Sequence, residues 1–287
     1  MSDSLISKFN ALPDLHQNPR FAKAMEDIGW TTFGKAGSYF FYRGVGPLGV
    51  AKIQHSNSID LVWLKKIRQK YHILMTYVEP GLLHPKMKRV GFSSEPFANS
   101  ATSLVDISLS ETDLINSFKS KTRYNIGYAE RKNQIKIVTK DFGDLTTDDK
   151  SIFKNSRETW SKRKRVVCYE EKFFNSLIKH FKNSGWIHFA YCQDKCVGTL
   201  MIIKNEKAAF YYAAFADLQG YSLFAPTLLT WTAMMTAKKA GCEIFDFGGI
   251  YDPRYRMYRK WKGFTKFKEG FSPTVIYYPP TRVLLGW

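Results

Sequence analysis

The sequence predicts a mixed α/β (α+β) protein of two domains with largely antiparallel sheets, and three observations carry that prediction. The chain has 287 residues, long for one hydrophobic core and comfortable for two. Runs with two-residue alternation are interspersed with runs of helical spacing along the whole length, as expected for packed layers of strands and helices. Each half also holds a Trp-bearing helix that ends in Lys-rich residues before an apolar strand, "VWLKKIRQKYHILMTYVEP" and "TWTAMMTAKKAGCEIFDFGGI". A diverged duplication leaves such a trace.

The elements follow in order. Residues 19–30 carry Phe21, Met25 and Ile28 at helical spacing behind Pro19, a favoured starting residue. Two strand-like runs, "GSYFFYRGV" and "LGVAKIQ", are joined through Gly46-Pro47. "SIDLVWLKKIRQKY" reads as a helix and "HILMTYVEP" as a buried strand ended by Pro80. A loop rich in Pro, Gly and Ser leads to the strand "TSLVDISL". A long helix is expected to open at Ser110, capped by its hydroxyl with Asp113 as the acid of a capping box. Ile115, Phe118, Thr122, Ile126 and Ala129 form its apolar stripe, and Lys119 and Arg123 lie on the neighbouring face. The strand "QIKIVTKD" follows, and the domain boundary is placed there, giving 1–134 and 135–271.

The second half predicts helices over 147–164 and 170–183, then the strands "WIHFAYC", "VGTLMIIK" and "KAAFYYAAF". A helix over "LFAPTLLTWTAMMTAKKAG" ends on Gly241, which leads into "EIFDF", a basic segment and the strand "TVIYYPP".

Lys and Arg number 43 against 25 Asp and Glu, a formal net charge of +18. Charge of that size predicts a polyanionic partner: nucleic acid, a nucleotide-bearing substrate or an anionic membrane surface. The start, "MSDSLISKFNALPDLHQ", lacks the pattern of a signal peptide, and no stretch approaches the ~20 apolar residues of a spanning helix. A cytoplasmic location is expected. Four cysteines are too few for a disulfide scaffold. Cys192 and Cys196 flank a "QDK" turn and are read as reduced thiols facing each other across two strands. The six histidines are scattered, with neither HExxH nor CxxC, so no metal is expected.

Three segments together resemble one family. "SFKSKTRYNIGYAERKNQIKI" is similar to its K-x-x-x-R-x-x-I helix and following strand, and "YYAAFADLQGYSLFAPTLLTWTAMMTAKKAG" to its strand–loop–helix with an Ala-Pro entry. "IFDFGGI" followed by "FTKFKEGF" resembles its aromatic-Asp-Phe strand and F-K-x-G-F block. The family is FemABX, aminoacyltransferases that extend the peptide of peptidoglycan precursors from aminoacyl-tRNA. The resemblance implies two tandem acetyltransferase-like (GNAT) folds, with the last strand, 272–287, able to return to the first domain. It implies aminoacyl-tRNA as co-substrate and no other cofactor. The acceptor would be an amine on the stem peptide of UDP-MurNAc-pentapeptide or lipid II, and the enzyme would be a monomer. A peripheral contact with the inner membrane is compatible with the charge. Two departures stand out: Ser272-Pro273 replaces the Gly-Gly that often follows the last Phe, and 147–184 offers two ordinary helices where larger members carry a long helical arm.

Aminolysis of an activated ester needs positioning and a cation for the developing oxyanion. Lys268, behind the apolar Phe267, suits that role; otherwise it is an exposed surface lysine. Asp246, between Phe245 and Phe247, is structural or orients groups at the site, since a buried carboxylate needs a partner. Lys119 and Arg123 stand one turn apart and suit phosphate oxygens, although charges on helices are most often solvated faces. One of Tyr211 and Tyr212 faces the core and the other a ligand. Arg254, Arg256, Arg259, Lys260 and Lys262, interleaved with Tyr255, Tyr258 and Trp261, have the makeup of a single-stranded nucleic-acid platform. Two rival functions are an acetyl-CoA-dependent N-acetyltransferase and a non-catalytic RNA-binding protein. Against CoA, the nearest approach to a Q/R-x-x-G-x-G/A pyrophosphate loop is "RYNIGYA", one residue too long and inside a predicted helix.

Overall fold

The computed structural model of the chain describes residues 2–82, 91–93, 95–96, 98–166 and 170–286. In chain order the first elements are α1 (Ser2–Asn10), α2 (Pro19–Asp27), β1 (Thr31–Phe33), β2 (Phe40–Arg43), β3 (Val50–Ser56), α3 (Leu61–Lys70), β4 (Met75–Pro80) and β5 (Phe92–Ser93). Next come β6 (Ala101–Asp106), α4 (Glu111–Ser117), α5 (Ser120–Arg131), β7 (Lys136–Asp141), α6 (Thr147–Lys164), α7 (Glu171–His180), β8 (Gly185–Cys192), β9 (Lys195–Asn205) and β10 (Ala208–Ala216). The chain then runs through α8 (Leu218–Ser222), α9 (Ala225–Lys239), β11 (Ile244–Asp246), α10 (Lys262–Lys268), β12 (Thr274–Tyr277) and β13 (Arg282–Leu285). The Pro-, Gly- and Ser-rich loop expected after Pro80 falls largely outside the described residues.

Two compact units result, and neither is a continuous stretch. The first comprises residues 1–102, 249–263 and 275–287; the second comprises 103–248 and 264–274. The chain therefore divides at Thr102, not near residue 134. The reason is packing: Leu114, Phe118, Ile126 and Ala129, from helices assigned above to the first domain, are buried in the core of the second unit with Leu200, Phe245 and Phe271.

In the first unit the sheet order is β1-β2-β3-β4-β13-β5. Only β3 and β4 run parallel; the other pairs are antiparallel. Phe40, Ala51, Ile53, Leu64, Ile73 and Val78 form its core. Asn18 caps α2, accepting from the Arg20 N–H, and Asp60 caps α3, accepting from Val62 and Trp63. Those side chains satisfy donors that a helix start leaves unpaired.

The second sheet has the order β12-β6-β11-β10-β9-β8-β7, with β10 and β11 parallel. Ser110 and Asp113 form the anticipated cap of α4. The single long helix does not form. Phe118 and Lys119 take extended backbone angles, and the Lys119 N–H donates to the Gly270 carbonyl at 2.9 Å. The apolar stripe survives the break because both helices turn the same side to the core. Cys192 pairs with Lys195 and Cys196 with Tyr191, so the two thiols do not face each other directly; both are free.

His188, on β8, is fully buried and shares a 2.9 Å hydrogen bond through Nδ1 with Thr139 Oγ1. Burial lowers its pKa to about 3. The folded ring refuses a proton that the unfolded chain accepts below its ordinary value of 6.5, so stability falls as pH drops from 6.5 to about 3. The full window corresponds to about 5 kcal/mol. His188→Leu is expected to flatten this acid limb in urea unfolding at pH 7 and pH 4. An unchanged pH dependence in the variant would remove His188 as its cause.

Candidate functional site

The second unit holds a buried lysine at the end of a buried strand. Phe245 and Phe247 pack into the core on either side of Asp246, which is itself buried. Gly248 turns the chain with a left-handed φ of +66°, and its N–H donates to Asp246 Oδ1 at 2.7 Å. Lys268, the last residue of α10, is only 7% exposed. Its Nζ donates to the Phe247 carbonyl at 2.8 Å and lies 5.7 Å from the centre of the Tyr211 ring and 5.3 Å from that of Phe264. Burial pushes its pKa down to about 7, although the Asp246 carboxylate pulls the other way. Such an ammonium changes charge near neutrality and sits among aromatic faces that attract cations. It can stabilise a developing oxyanion or exchange a proton. An exposed surface lysine is not what the fold makes of it.

Tyr211 lies on the Lys268 side of β10, with ring centres 6.3 Å from Phe245 and 5.7 Å from Phe247. Burial raises its phenol pKa well above the ordinary value, a Thr230 hydrogen bond notwithstanding. Tyr212 is 6.3 Å from the ring of Phe173, on α7, so the alternation of the strand separates the two tyrosines. Phe267 packs against the core and 5.5 Å from the ring of Phe271.

Lys119 is exposed at the N-cap of α5, and its backbone leans on Gly270. A Cβ at Gly270 would stand 2.4 Å from Thr122 Oγ1, which explains the glycine in "FKEGF". Arg123 is not the free anion clamp expected. Its guanidinium donates to the Phe118 carbonyl and, at 3.2 Å, to that of Asn116. It closes the C-terminal end of α4, where carbonyls lack helical partners. "RYNIGYA" lies wholly within α5 and forms no turn.

The basic segment divides more sharply. Asp252 is completely buried in the first unit, and Arg254 is its partner: Nη2 lies 2.7 Å from Asp252 Oδ2 and also donates to the Ser100 and Tyr278 carbonyls at 3.0 Å. Ser100 Oγ donates to the same carboxylate at 2.6 Å. Arg254 thus braces the buried carboxylate, with 35% of its own side chain still exposed. Arg256, Arg259 and Lys260 are exposed. The rings between them turn inward: Tyr255 and Tyr258 are buried, and the Tyr258 hydroxyl donates to the Ala98 carbonyl at 2.6 Å. Tyr258 and Trp261 pack with ring centres 4.2 Å apart. Three-residue spacing on a 3-10 turn places these rings on one face and leaves the charges outside. The segment is a cationic surface over an aromatic core and not a stacking platform.

Sequence reasoning missed Asp252, whose only local signal is a carboxylate two residues before an arginine. It also missed Lys52, a buried amine 4.7 Å from the Trp30 ring centre whose pKa burial lowers to about 8 against the pull of Glu79.

Residues 120–262 match the family model described as an acetyltransferase (GNAT) domain. Lys268 lies just beyond that stretch. No protein of curated function matches the sequence significantly. Among solved structures, that of FemX is similar over 100% of this chain and 96% of its own, with a TM-score of 0.77 at 11% identity. The C-terminal domain (DUF2156) of a putative lysylphosphatidylglycerol synthetase from Agrobacterium fabrum gives 0.68 at 14% identity, over 100% of this chain and 93% of that one. A tandem GNAT protein from the clavulanic acid biosynthesis pathway gives 0.51 at 10%, over 98% and 95%. The fold is therefore the tandem GNAT-like one, as the FemABX resemblance implied, and the chain carries an acyltransferase domain.

Proposed function

We propose that this acyltransferase of tandem GNAT-like fold moves an amino acid from aminoacyl-tRNA to an amine on the stem peptide of a peptidoglycan precursor, UDP-MurNAc-pentapeptide or lipid II. The observation that carries the reading is Lys268, a buried lysine held at the end of β11 beside Asp246. The neutral acceptor amine attacks the ester carbonyl, a C–N bond forms, and the carbonyl oxygen takes negative charge. The Lys268 ammonium stabilises that charge in a site of low polarity. The ester C–O bond then breaks, and the proton lost by the amine ends on the ribose hydroxyl that leaves. Asp246 orients the turn at Gly248, and Tyr211 walls the amine. No acyl-enzyme is needed. Lys119 and the exposed Arg256 and Arg259 supply cations for phosphate oxygens of the two substrates. A cytoplasmic location belongs to this reading; no helix among the described residues is long and apolar enough to cross a membrane.

An acetyl-CoA reading draws less support, because the one approach to a pyrophosphate loop is helical. The deciding experiment incubates the protein with a pool of charged tRNAs and either UDP-MurNAc-pentapeptide or lipid II, and follows acceptor mass. Addition of one aminoacyl residue is expected. No added mass on either acceptor, with phosphatidylglycerol modified instead, would transfer the reading to a lipid acceptor. Strong tRNA binding with no acceptor modified would leave a non-catalytic RNA-binding protein, and stabilisation by acetyl-CoA alone would favour the acetyltransferase.

A further inference from the structure

Histidines spaced 39 positions apart offer no ligand motif along the chain, yet the first unit brings two of them to one carboxylate. Asp14 caps the short turn Leu15–Gln17, accepting from the His16 N–H at 2.8 Å. The same carboxylate lies 2.6 Å from His16 Nδ1 through Oδ1 and 3.3 Å from His55 Nδ1 through Oδ2. One ligand atom from each of Asp14, His16 and His55 falls within 4.8 Å of the other two.

Two further observations point to a ligand at this place. His55 is buried, and its Nε2 lies 2.9 Å from the Asn99 carbonyl, while its ring stacks on Tyr278 with centres 3.9 Å apart. Donation from Nε2 to a carbonyl leaves the lone pair on Nδ1, the arrangement by which metal-bound histidines are oriented. Nδ1 itself is buried and has no hydrogen-bond partner among the described residues, although it points at Asp14. Asn10, whose Oδ1 is likewise buried without a partner, lines the same cavity as Asp14, His55 and Tyr278.

We propose that Asp14, His16 and His55 bind a divalent transition metal, with zinc the best match, and leave a fourth position open to the cavity beside Asn10. Two imidazole nitrogens and one carboxylate suit zinc and exclude magnesium and calcium, which take oxygen ligands. Ligand atoms around a tetrahedral zinc stand roughly 3.3 Å apart. The observed spacing reaches this by shifts of about an ångström, and the His16 side chain, 21% exposed, has room to make them. The bound metal would tie the Leu15–Gln17 turn to the end of β3, which carries His55.

The test is calorimetric titration of Zn²⁺ into the full chain after chelator treatment, with melting followed in parallel. One equivalent of saturable binding and a raised melting temperature are expected, undiminished by excess Mg²⁺. His16→Ala should weaken binding at least about a hundredfold, since ligand loss exceeds the 10–100-fold effect of losing a supporting group. Its partly exposed ring makes this variant safe to fold, and His55→Gln repeats the test from the buried side. Absence of saturable binding in the unsubstituted protein overturns the proposal. So does binding that persists in His16→Ala, which would place the metal elsewhere, for instance on the free thiols. Neither result depends on aminoacyl transfer.

Discussion

Lys268→Met is expected to lower aminoacyl transfer by about 10²–10³-fold, the loss typical of one oxyanion donor, while tRNA binding stays within a few-fold (~2–4-fold). The fold should survive. Below its folded pKa of about 7 the amine is buried as a cation, and between about 7 and 10.5 the unfolded chain holds a proton that the native state has released. Stability therefore rises with pH across that window, and the burial cost is complete below it. Methionine removes the cost, so loss of transfer cannot be ascribed to unfolding. Lys268→Arg separates the two chemical roles. Arginine stays charged at all working pH, so the ratio of native to variant rate should fall as pH rises through about 7 if the cation is what matters. A ratio that climbs with pH would make Lys268 a proton acceptor, and Lys268→Met with native activity would remove it from the reaction.

Arg254→Met is expected to destabilise the first unit by about 1–3 kcal/mol, since it removes the charge partner of the buried Asp252. Arg256→Ala and Arg259→Ala should leave the melting temperature unchanged and instead weaken tRNA binding, with a shallower dependence on salt. Urea unfolding and filter binding at two salt concentrations check both halves. If Arg254→Met melts like the native protein and loses tRNA affinity in step with the other two, the bracing role fails and the three arginines form one surface.

That contrast shows how far the residues could be read unaided. Helix starts at Pro19 and Ser110 and the strands of the second sheet were legible, because capping chemistry and two-residue alternation are local. The break at Phe118–Lys119 was not, since it is made by Gly270 and by Arg123 reaching back to the α4 carbonyls. The fate of Tyr255 and Tyr258 turned on a 3-10 spacing that puts rings inside and charges outside, where composition alone pointed to a stacking platform. His16 and His55 escaped notice for the same reason: their meeting depends on β3 and the Leu15–Gln17 turn, not on any spacing.

The order of β13 in its sheet has a bearing on how the chain can be made and cut. Residues 282–285 sit between β4 and β5, pairing antiparallel with both. The interior of that sheet is thus finished by a strand that follows the whole second unit along the chain. During synthesis the first unit cannot complete its folding until the second has left the ribosome. A chain stopped before Arg282, or one cut to keep residues 1–134 alone, would expose two unpaired strand edges and invite aggregation. Dissecting this protein into halves calls for circular permutation or strand supply in trans, because no single cut releases a unit intact.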